Sequence, residues 1–235
     1  MHYFIDDSVV AKHQNDLLNK KALTEEEIIA QCILFFNAGF ETTSSALTYA
    51  LFNLAQNPEV QEKLYMEVND LFEEYQNGDL LIFYDKIMSE LTFLDAVVKE
   101  TLRMYPSVYR LERRVSVDGY KLGGVELEKN TLVEISTIAV HYDPEYYPDP
   151  HKFDPERFMP ENKHLLTPYT YLPFGDGPRN CVGMRFALQE VKFALSHLIK
   201  NFKFEKCSQT SSEISFFIGS PILISKPFKL SITSR

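Results

Sequence analysis

Apolar residues recur every three to four positions between residues 25 and 56, a spacing that predicts one long amphipathic helix. Thr24 and Glu27 form the sequence pattern of a capping box, so the helix is expected to begin directly after Thr24. Asn57 and Pro58 end it, because proline is favoured at the first position of a following helix. The predicted helix is about 32 residues long, well above the usual mean of about 11–12 residues.

The same spacing predicts three further helices, over residues 58–75, 92–104 and 182–201. Residues 114–134 contain short β-prone runs separated by Asp-Gly, Gly-Gly and Lys-Asn turns, which predicts a small antiparallel sheet. Residues 143–178 are rich in proline and aromatic residues and indicate a long ordered loop. The tail, residues 202–233, has the pattern of strands. The sequence therefore predicts a mainly α fold with small antiparallel β-sheets.

Composition and charge narrow the possible classes of protein. Hydrophobic residues make up 45% of the chain, enough for a core, whereas the net charge of −9 leaves a nucleic-acid partner without an electrostatic basis. The three cysteines, Cys32, Cys181 and Cys207, lack C-x-x-C spacing, which argues against a disulfide framework and a structural zinc site. Cys32 lies on the apolar face of the long predicted helix and is expected in the core. The first ten residues lack the basic region of a signal peptide, and no apolar stretch reaches the roughly 20 residues that span a bilayer.

The segment F-G-D-G-P-R-N-C-V-G, residues 174–183, carries the strongest chemical signal. Its three glycines permit backbone conformations with positive φ and close approach to a flat ligand. Cys181 stands at the entrance to a predicted helix, where free N–H groups and the positive end of the helix dipole favour a thiolate. Phe174 is placed to cover the sulfur, and Arg179 supplies a cation for an acidic group. Without these neighbours, Cys181 would be interpreted as an ordinary buried cysteine in a glycine-rich turn.

The pattern F-x-x-G-x-R-x-C-x-G is the haem-loop signature of the cytochrome P450 family, and this chain resembles it at every fixed position. The resemblance implies that Cys181 is the proximal thiolate ligand of the iron of haem b. A thiolate ligand pushes electron density toward cleavage of the O–O bond. The resemblance places four further residues of the loop against the cofactor: Phe174, Gly175, Arg179 and Gly183.

Two shorter motifs precede the cysteine loop in the order that the family has. Glu100 and Arg103 form an E-x-x-R pair on one helix face, and residues 155–158 read P-E-R-F. The pair alone has little weight, because helices carry such pairs by chance and exposed ones contribute only about 0–1 kcal/mol. The resemblance implies that Glu100, Arg103 and Arg157 form a buried charge network that holds the cysteine loop.

The segment A-G-F-E-T-T, residues 38–43, resembles the oxygen-activation segment of the family's long central helix. Leu34, Ala38 and Thr42 are four residues apart and therefore share one face, which the resemblance directs at the haem. A threonine in mid-helix can bond back to the preceding turn and open room for dioxygen and water. Glu41 is expected to relay protons. The alternative is a threonine-rich helix packed in a core.

The resemblance also suggests residues for the haem propionates and the substrate. Arg113 is placed at a propionate, although residues 110–114 are also typical of an exposed basic turn. Five residues are expected to face the substrate: Leu34, Phe35, Val108, Leu223 and Ile224.

The implied partners are those of the microsomal members of the family. They are a lipophilic small molecule, dioxygen, and NADPH–cytochrome P450 reductase or cytochrome b5 as electron donor, with no nucleic acid. Lys163, Arg185, Lys192 and Lys200 are candidates for a positive face that receives the donor; the alternative is an ordinary solvated helix face. The implied location is the cytosolic face of the endoplasmic reticulum membrane, through an N-terminal anchor that this chain lacks.

The resemblance extends from about Thr24 to the C-terminus and is nearest to the animal family-three and insect family-six groups. It implies that residues 1–235 form a single partial domain, the C-terminal haem-binding half of the cytochrome P450 fold, with the N-terminal half absent. Apolar surface over residues 28–54 would then be uncovered, so the isolated chain is expected to fold poorly and to be inactive.

The expected reaction is insertion of one atom of dioxygen into a lipophilic substrate, with electrons from NADPH through a reductase. Three alternatives stay open. One is a haem-thiolate enzyme that rearranges peroxides, which needs no proton relay such as Glu41 and Thr42. The second is a non-catalytic truncated product. The third is a cysteine hydrolase using Cys181, for which no oriented histidine is identifiable in the sequence.

Overall fold

The first helix, α1 (Glu25–Gln56), begins at the predicted capping box. The Thr24 N–H donates to Glu27 Oε2 at 2.8 Å, and the Glu27 N–H donates to Thr24 Oγ1 at 3.3 Å. Cys32, which was expected in the core, is exposed, so that prediction is wrong. No helix in the described parts of the chain, α1 included, is long and apolar enough to cross a membrane.

This computed structural model describes residues 23–75 and 78–235. The first ten residues, where the sequence lacks the pattern of a signal peptide, lie outside this description. The chain divides into two units, residues 1–40 and 41–235, and the division falls within α1. The described part of the first unit is the N-terminal portion of α1, where the large apolar side chains are exposed, Phe36 at 71%.

The second unit is built around one buried helix, α4 (Thr92–Met104). Its apolar residues Leu94, Val97, Val98 and Leu102 are all buried. They belong to one core cluster with residues of α2 (Pro58–Tyr75) and α6 (Met184–Asn201). The sequence placed these helices correctly, because each has a strong apolar stripe at helical spacing.

Two α-helices of the described residues were not predicted: a short one over Thr137–His141 and α3 (Leu80–Ser89). The N-cap of α3, Asp79, accepts a hydrogen bond from the Leu81 N–H at 2.7 Å. Within α3 the burial is uneven. Ile87 is its only fully buried residue, while Leu80 and Leu81 are exposed. Because its apolar residues are not confined to one face, its periodicity gave no signal.

The predicted small sheets are present as antiparallel pairs. Strand β1 (Arg110–Arg114) pairs with β4 (Leu132–Ser136), and β2 (Tyr120–Leu122) pairs with β3 (Val125–Leu127). The β2–β3 turn is Gly123-Gly124, with φ of 56° and 85°, a conformation that glycine adopts without strain. A short helix, α5 (Thr137–His141), follows β4.

The long loop and the tail complete the fold. Between α5 and α6 the chain forms three 3₁₀ turns, Pro155–Phe158, Pro160–Leu165 and Gly177–Arg179, and no α-helix. In the tail, β5 (Phe202–Glu205) pairs with β6 (Ser231–Ser234), and the intervening residues form one isolated bridge, between Phe216 and Ser225. The tail is therefore strand only at its two ends. The architecture is mainly helical with small antiparallel sheets, as predicted.

Candidate functional site

A fully buried ion pair lies at the end of α4. Arg103 Nε donates to Glu100 Oε2 at 2.7 Å and Arg103 Nη2 donates to Glu100 Oε1 at 2.9 Å, a two-pronged contact in which both side chains are 0% exposed. Burial raises the pKa of Glu100, and the hydrogen bonds from Arg103 oppose that rise. Arg103 also donates to the carbonyls of His141, at 2.7 Å, and Pro150, at 2.8 Å. One guanidinium thus joins α4 to the C-terminal end of α5 and to the long loop.

The P-E-R-F turn lies against the same carboxylate. Arg157 Nε is 3.6 Å from Glu100 Oε1, an ion-pair distance that is too long for a hydrogen bond. The Asp154 N–H donates to Glu100 Oε1 at 2.9 Å, and Arg157 Nη2 donates to the Asp149 carbonyl at 3.0 Å. The structure therefore brings together the three residues that the sequence named as a network, Glu100, Arg103 and Arg157.

His141 connects this network to the segment that leads to the cysteine loop. Its ring is fully buried; Nδ1 lies 2.9 Å from the Arg103 carbonyl and Nε2 lies 2.8 Å from the Leu172 N–H. These partners require the tautomer in which Nδ1 donates and Nε2 accepts. Burial lowers the pKa of His141 to about 4, so the ring is neutral at pH 7. The sequence gave only a weak signal for this role, a histidine before the proline-rich loop in H-Y-D-P.

The cysteine loop is closed by its own backbone. The Cys181 N–H donates to the Phe174 carbonyl at 2.9 Å, and the Gly175 N–H donates to the Leu172 carbonyl at 3.1 Å. Gly175 and Gly177 have φ of 70° and 75°, which glycine adopts readily and other residues rarely. Helix α6 begins at Met184, two residues later than predicted, so Cys181 lies just before its first turn. The backbone of Leu172 therefore bonds both to the cysteine loop and to His141.

Strand β1 lies beside this loop. A Cβ placed on Gly175 would meet the Leu111 side chain at 3.6 Å, so Leu111 faces the loop. Arg113 is two residues further along the strand and therefore shares that face. The R-L-E-R-R segment is a strand and not a basic turn, and on its other face Arg110 forms ion pairs with Glu112 at 2.9 Å and Glu134 at 3.4 Å.

Another ion pair, which is partly buried, holds α6, the helix that follows Cys181, against α4. Lys192 Nζ lies 2.5 Å from Asp95 Oδ1 on α4, with the Lys192 side chain 8% exposed. Burial alone would raise the pKa of Asp95, but hydrogen bonds from Lys192 and Lys99 outweigh it and lower the pKa. Lys192 is therefore not available to the positive face proposed from the sequence. Lys200 is paired with Glu73 at 2.9 Å, whereas Lys163 and Arg185 are exposed.

The remaining predicted residues lie on α1 and in the tail. Glu41 and Thr42 are half-buried on α1, while Leu34, Phe35 and Ala38 are exposed in the first unit. Val108 is 38% exposed, and its neighbour Ser107 accepts a hydrogen bond from the Leu223 N–H at 2.9 Å. The structure thus brings Leu223 next to Val108.

The residues around Cys181 fit a haem-thiolate site. Within residues 23–75 and 78–235 no cluster of three or more His, Cys, Asp or Glu side chains could hold a metal ion, so the donor at this loop is a single thiol. Structural zinc requires four ligands, whereas haem iron accepts one axial thiolate. Cys181 is exposed, and a Cβ on Gly183 would lie 3.9 Å from its Sγ, so glycine there keeps the side of the sulfur open.

Comparison with known proteins gives one consistent result. A family model described as cytochrome P450 matches residues 1–232. The chain is 44% identical to cytochrome P450 3A31 of Mesocricetus auratus, over 95% of this chain and 43% of that protein. It is 43% identical to cytochrome P450 3A9 of Rattus norvegicus, over 92% and 42%, and 39% identical to cytochrome P450 3A7 of Homo sapiens, over 99% and 45%. The chain spans less than half the length of these relatives.

Proposed function

The chain belongs to the cytochrome P450 family, and from this premise we propose that it is the haem-binding part of a haem-thiolate monooxygenase. The observation that carries the proposal is the cysteine loop: every fixed position of its signature is present, and its thiol is exposed. The same loop is joined through Leu172 and His141 to the buried Glu100–Arg103 pair. We propose that this connection fixes the position and orientation of the Cys181 side chain before haem binds.

In this proposal Cys181 would hold the haem through its thiolate, and Arg179 and Arg113 would hold the propionates by charge-assisted hydrogen bonds. Arg179 is exposed on the loop, and Arg113 lies on the β1 face that meets Gly175. Four residues are proposed as contacts of the porphyrin: Phe174, Gly175, Gly183 and Ala38. When bound, haem supplies the redox-active iron at which dioxygen is reduced and one oxygen atom passes to the substrate.

We propose that Thr42 and Glu41 would deliver protons to this site. Both are half-buried on α1, and nearby Ser44 Oγ donates to the Glu41 carbonyl at 3.1 Å. A carboxylate next to a hydroxyl is a pair of groups that can hold a water molecule and pass its proton inward. The substrate-facing residues are Leu34, Phe35, Val108, Leu223 and Ile224.

The proposed setting follows the family. The proposed substrate is a lipophilic small molecule, and the proposed electron source is NADPH through cytochrome P450 reductase, with cytochrome b5 as a second donor. The proposed location is the cytosolic face of the endoplasmic reticulum membrane, and residues 1–235 are proposed to be one part of a larger domain. Because the apolar residues of α1 from Ile28 to Phe40 are exposed, the isolated chain is expected to be inactive.

The decisive experiment is the carbon monoxide difference spectrum of the reduced holoprotein. Thiolate ligation gives a strongly red-shifted Soret band, whereas a band typical of histidine ligation would contradict the assignment of Cys181. Turnover of a lipophilic substrate with NADPH and reductase then separates a monooxygenase from a peroxide-rearranging enzyme, which gives the same band but needs no electron donor.

A further inference from the structure

The tail between Ile214 and Lys226 folds into a narrow hairpin-like segment. The Phe217 N–H donates to the Ile224 carbonyl at 2.9 Å, and the Lys226 N–H donates to the Ser215 carbonyl at 2.7 Å. Its tip contains Gly219, with φ of 88°, and Ile218 is fully exposed. With so few bonds of its own, this segment depends on the rest of the protein for its position.

Both backbone polar groups of Leu223 are held by residues outside the segment. Its N–H donates to the Ser107 carbonyl at 2.9 Å, and its carbonyl accepts from the Tyr49 hydroxyl at 2.8 Å. The Tyr109 hydroxyl donates to the Ser220 carbonyl at 3.0 Å. Ser107 and Tyr109 flank Val108, so the same bonds that fix the tail also join it to Val108.

Tyr49 is the buried member of this set of anchors. Its side chain is fully buried, with Tyr105 and Phe216 at ring-centroid distances of 5.2 and 5.9 Å. Burial raises the pKa of Tyr49, so the hydroxyl stays protonated and able to donate. Tyr49 is seven residues beyond Thr42 on α1, two helical turns or about 10 Å along the same face. One helix therefore carries both Thr42 and the anchor of the tail.

We infer that Tyr49 is a positioning residue that fixes the Leu223–Ile224 turn beside Val108 and thereby sets substrate specificity. This inference rests on the proposed function, because it takes Val108, Leu223 and Ile224 as part of the substrate wall. Tyr49 contributes no surface to the substrate; it acts through the Leu223 carbonyl. Loss of a hydroxyl that holds a backbone group can therefore shift a wall of the pocket, although no residue in that wall is changed.

The test is Tyr49→Phe in the holoenzyme, with Tyr105→Phe as the matched control. Both remove one hydroxyl from the same aromatic cluster, but the Tyr105 hydroxyl makes no hydrogen bond to a described residue. In Tyr49→Phe the amides of Phe217, Leu223 and Lys226 should exchange with solvent about fivefold faster, the effect of losing one hydrogen bond. The dissociation constant of a lipophilic substrate, read from its spin-state shift, should change several-fold, and the ratio of oxidation products should change with it.

Tyr105→Phe should leave the exchange rates, the dissociation constant and the product ratio unchanged. The inference is overturned if Tyr49→Phe behaves like this control, or if it speeds exchange without altering the dissociation constant or the products. If Tyr49→Phe fails to bind haem, Tyr109→Phe, which releases the same turn at Ser220, takes its place with the same expected results. A wild-type protein that lacks the red-shifted carbon monoxide band refutes the proposed function and not the anchor, because the exchange measurement needs no turnover.

Discussion

The network under the site and the loop that carries the proposed ligand differ sharply in burial. Glu100, Arg103 and His141 are fully buried and bonded to each other or to backbone carbonyls from three segments. Cys181 and Arg179, by contrast, are exposed on a loop closed by a few backbone bonds. Cys181 and Arg179, which are proposed to bind the cofactor, therefore contribute little to the core, whereas the network residues are buried in it and are not proposed to contact the cofactor.

This difference separates two kinds of mutational effect. Removing one partner of a buried pair leaves an uncompensated charge, which costs far more than removing an exposed group. Changes in the network should therefore lower stability first and cofactor binding as a consequence. Changes in the loop should abolish cofactor ligation while leaving the fold intact. Four experiments test this separation, in order of the expected loss of stability.

Arg103→Ala should have the largest effect, a loss of roughly 3–5 kcal/mol in the free energy of unfolding, because it leaves the Glu100 carboxylate buried without its partner. Haem incorporation should fall with it. Urea unfolding and the haem-to-protein absorbance ratio measure both effects. The control is Lys63→Ala, which breaks the ion pair with Glu156 whose side chains are each 48% exposed, and should cost no more than about 1 kcal/mol. An Arg103→Ala protein with full haem content would contradict the role of the network.

His141 should make stability depend on pH in a defined window. The unfolded chain takes up a proton on this ring below about pH 6.5, whereas folded His141 stays neutral until about pH 4. Its contribution is therefore fully present above pH 6.5 and is lost as the pH falls toward 4, a loss that approaches about 3 kcal/mol. Unfolding free energies measured from pH 7 to pH 4 should fall more steeply for wild type than for His141→Gln, which has no titrating group. Equal slopes would show that the ring is not held neutral.

Lys192→Met should have an intermediate effect, a loss of roughly 2 kcal/mol, because Asp95 keeps Lys99 but loses its more buried partner. The pKa of Asp95 should rise, which NMR titration of its carboxyl can follow. Lys203→Met is the matched control, since its ion pair with Glu205 is exposed on both sides. A loss no larger than that of the control would mean that Lys192 does not fix α6.

Cys181→Ser should have the smallest effect on the fold, within about 0.5 kcal/mol for the haem-free protein, because the side chain is exposed. Its effect on the holoprotein should be complete loss of the red-shifted carbon monoxide band. A variant that retains this band would contradict the assignment of Cys181 as the ligand. A large loss of stability would contradict the view that the network maintains the fold and the loop binds the cofactor.

Local pattern was sufficient for much of the fold. The capping box at Thr24, the apolar stripe of α4 and the Gly123-Gly124 turn are each encoded within a few residues, and all were predicted correctly. Helix α3 escaped prediction because its apolar side chains, of which Leu80, Leu81 and Ile82 are exposed, show no stripe. The site motifs could be recognised for the same reason as the helices, because E-x-x-R, P-E-R-F and the cysteine loop are each short continuous segments of the sequence.

The sequence by itself determined the family, the four longest helices of the described residues and the identity of the candidate ligand, because these depend on residues close together along the chain. Only the tertiary structure decided that His141 joins Arg103 to Leu172, that Lys192 is buried against Asp95, and that Tyr49 holds Leu223. Each of these contacts joins residues that are between 31 and 174 positions apart in the sequence. No local sequence pattern records where such distant segments lie relative to each other. Such contacts follow from how the helices pack, and packing is a property of the whole chain.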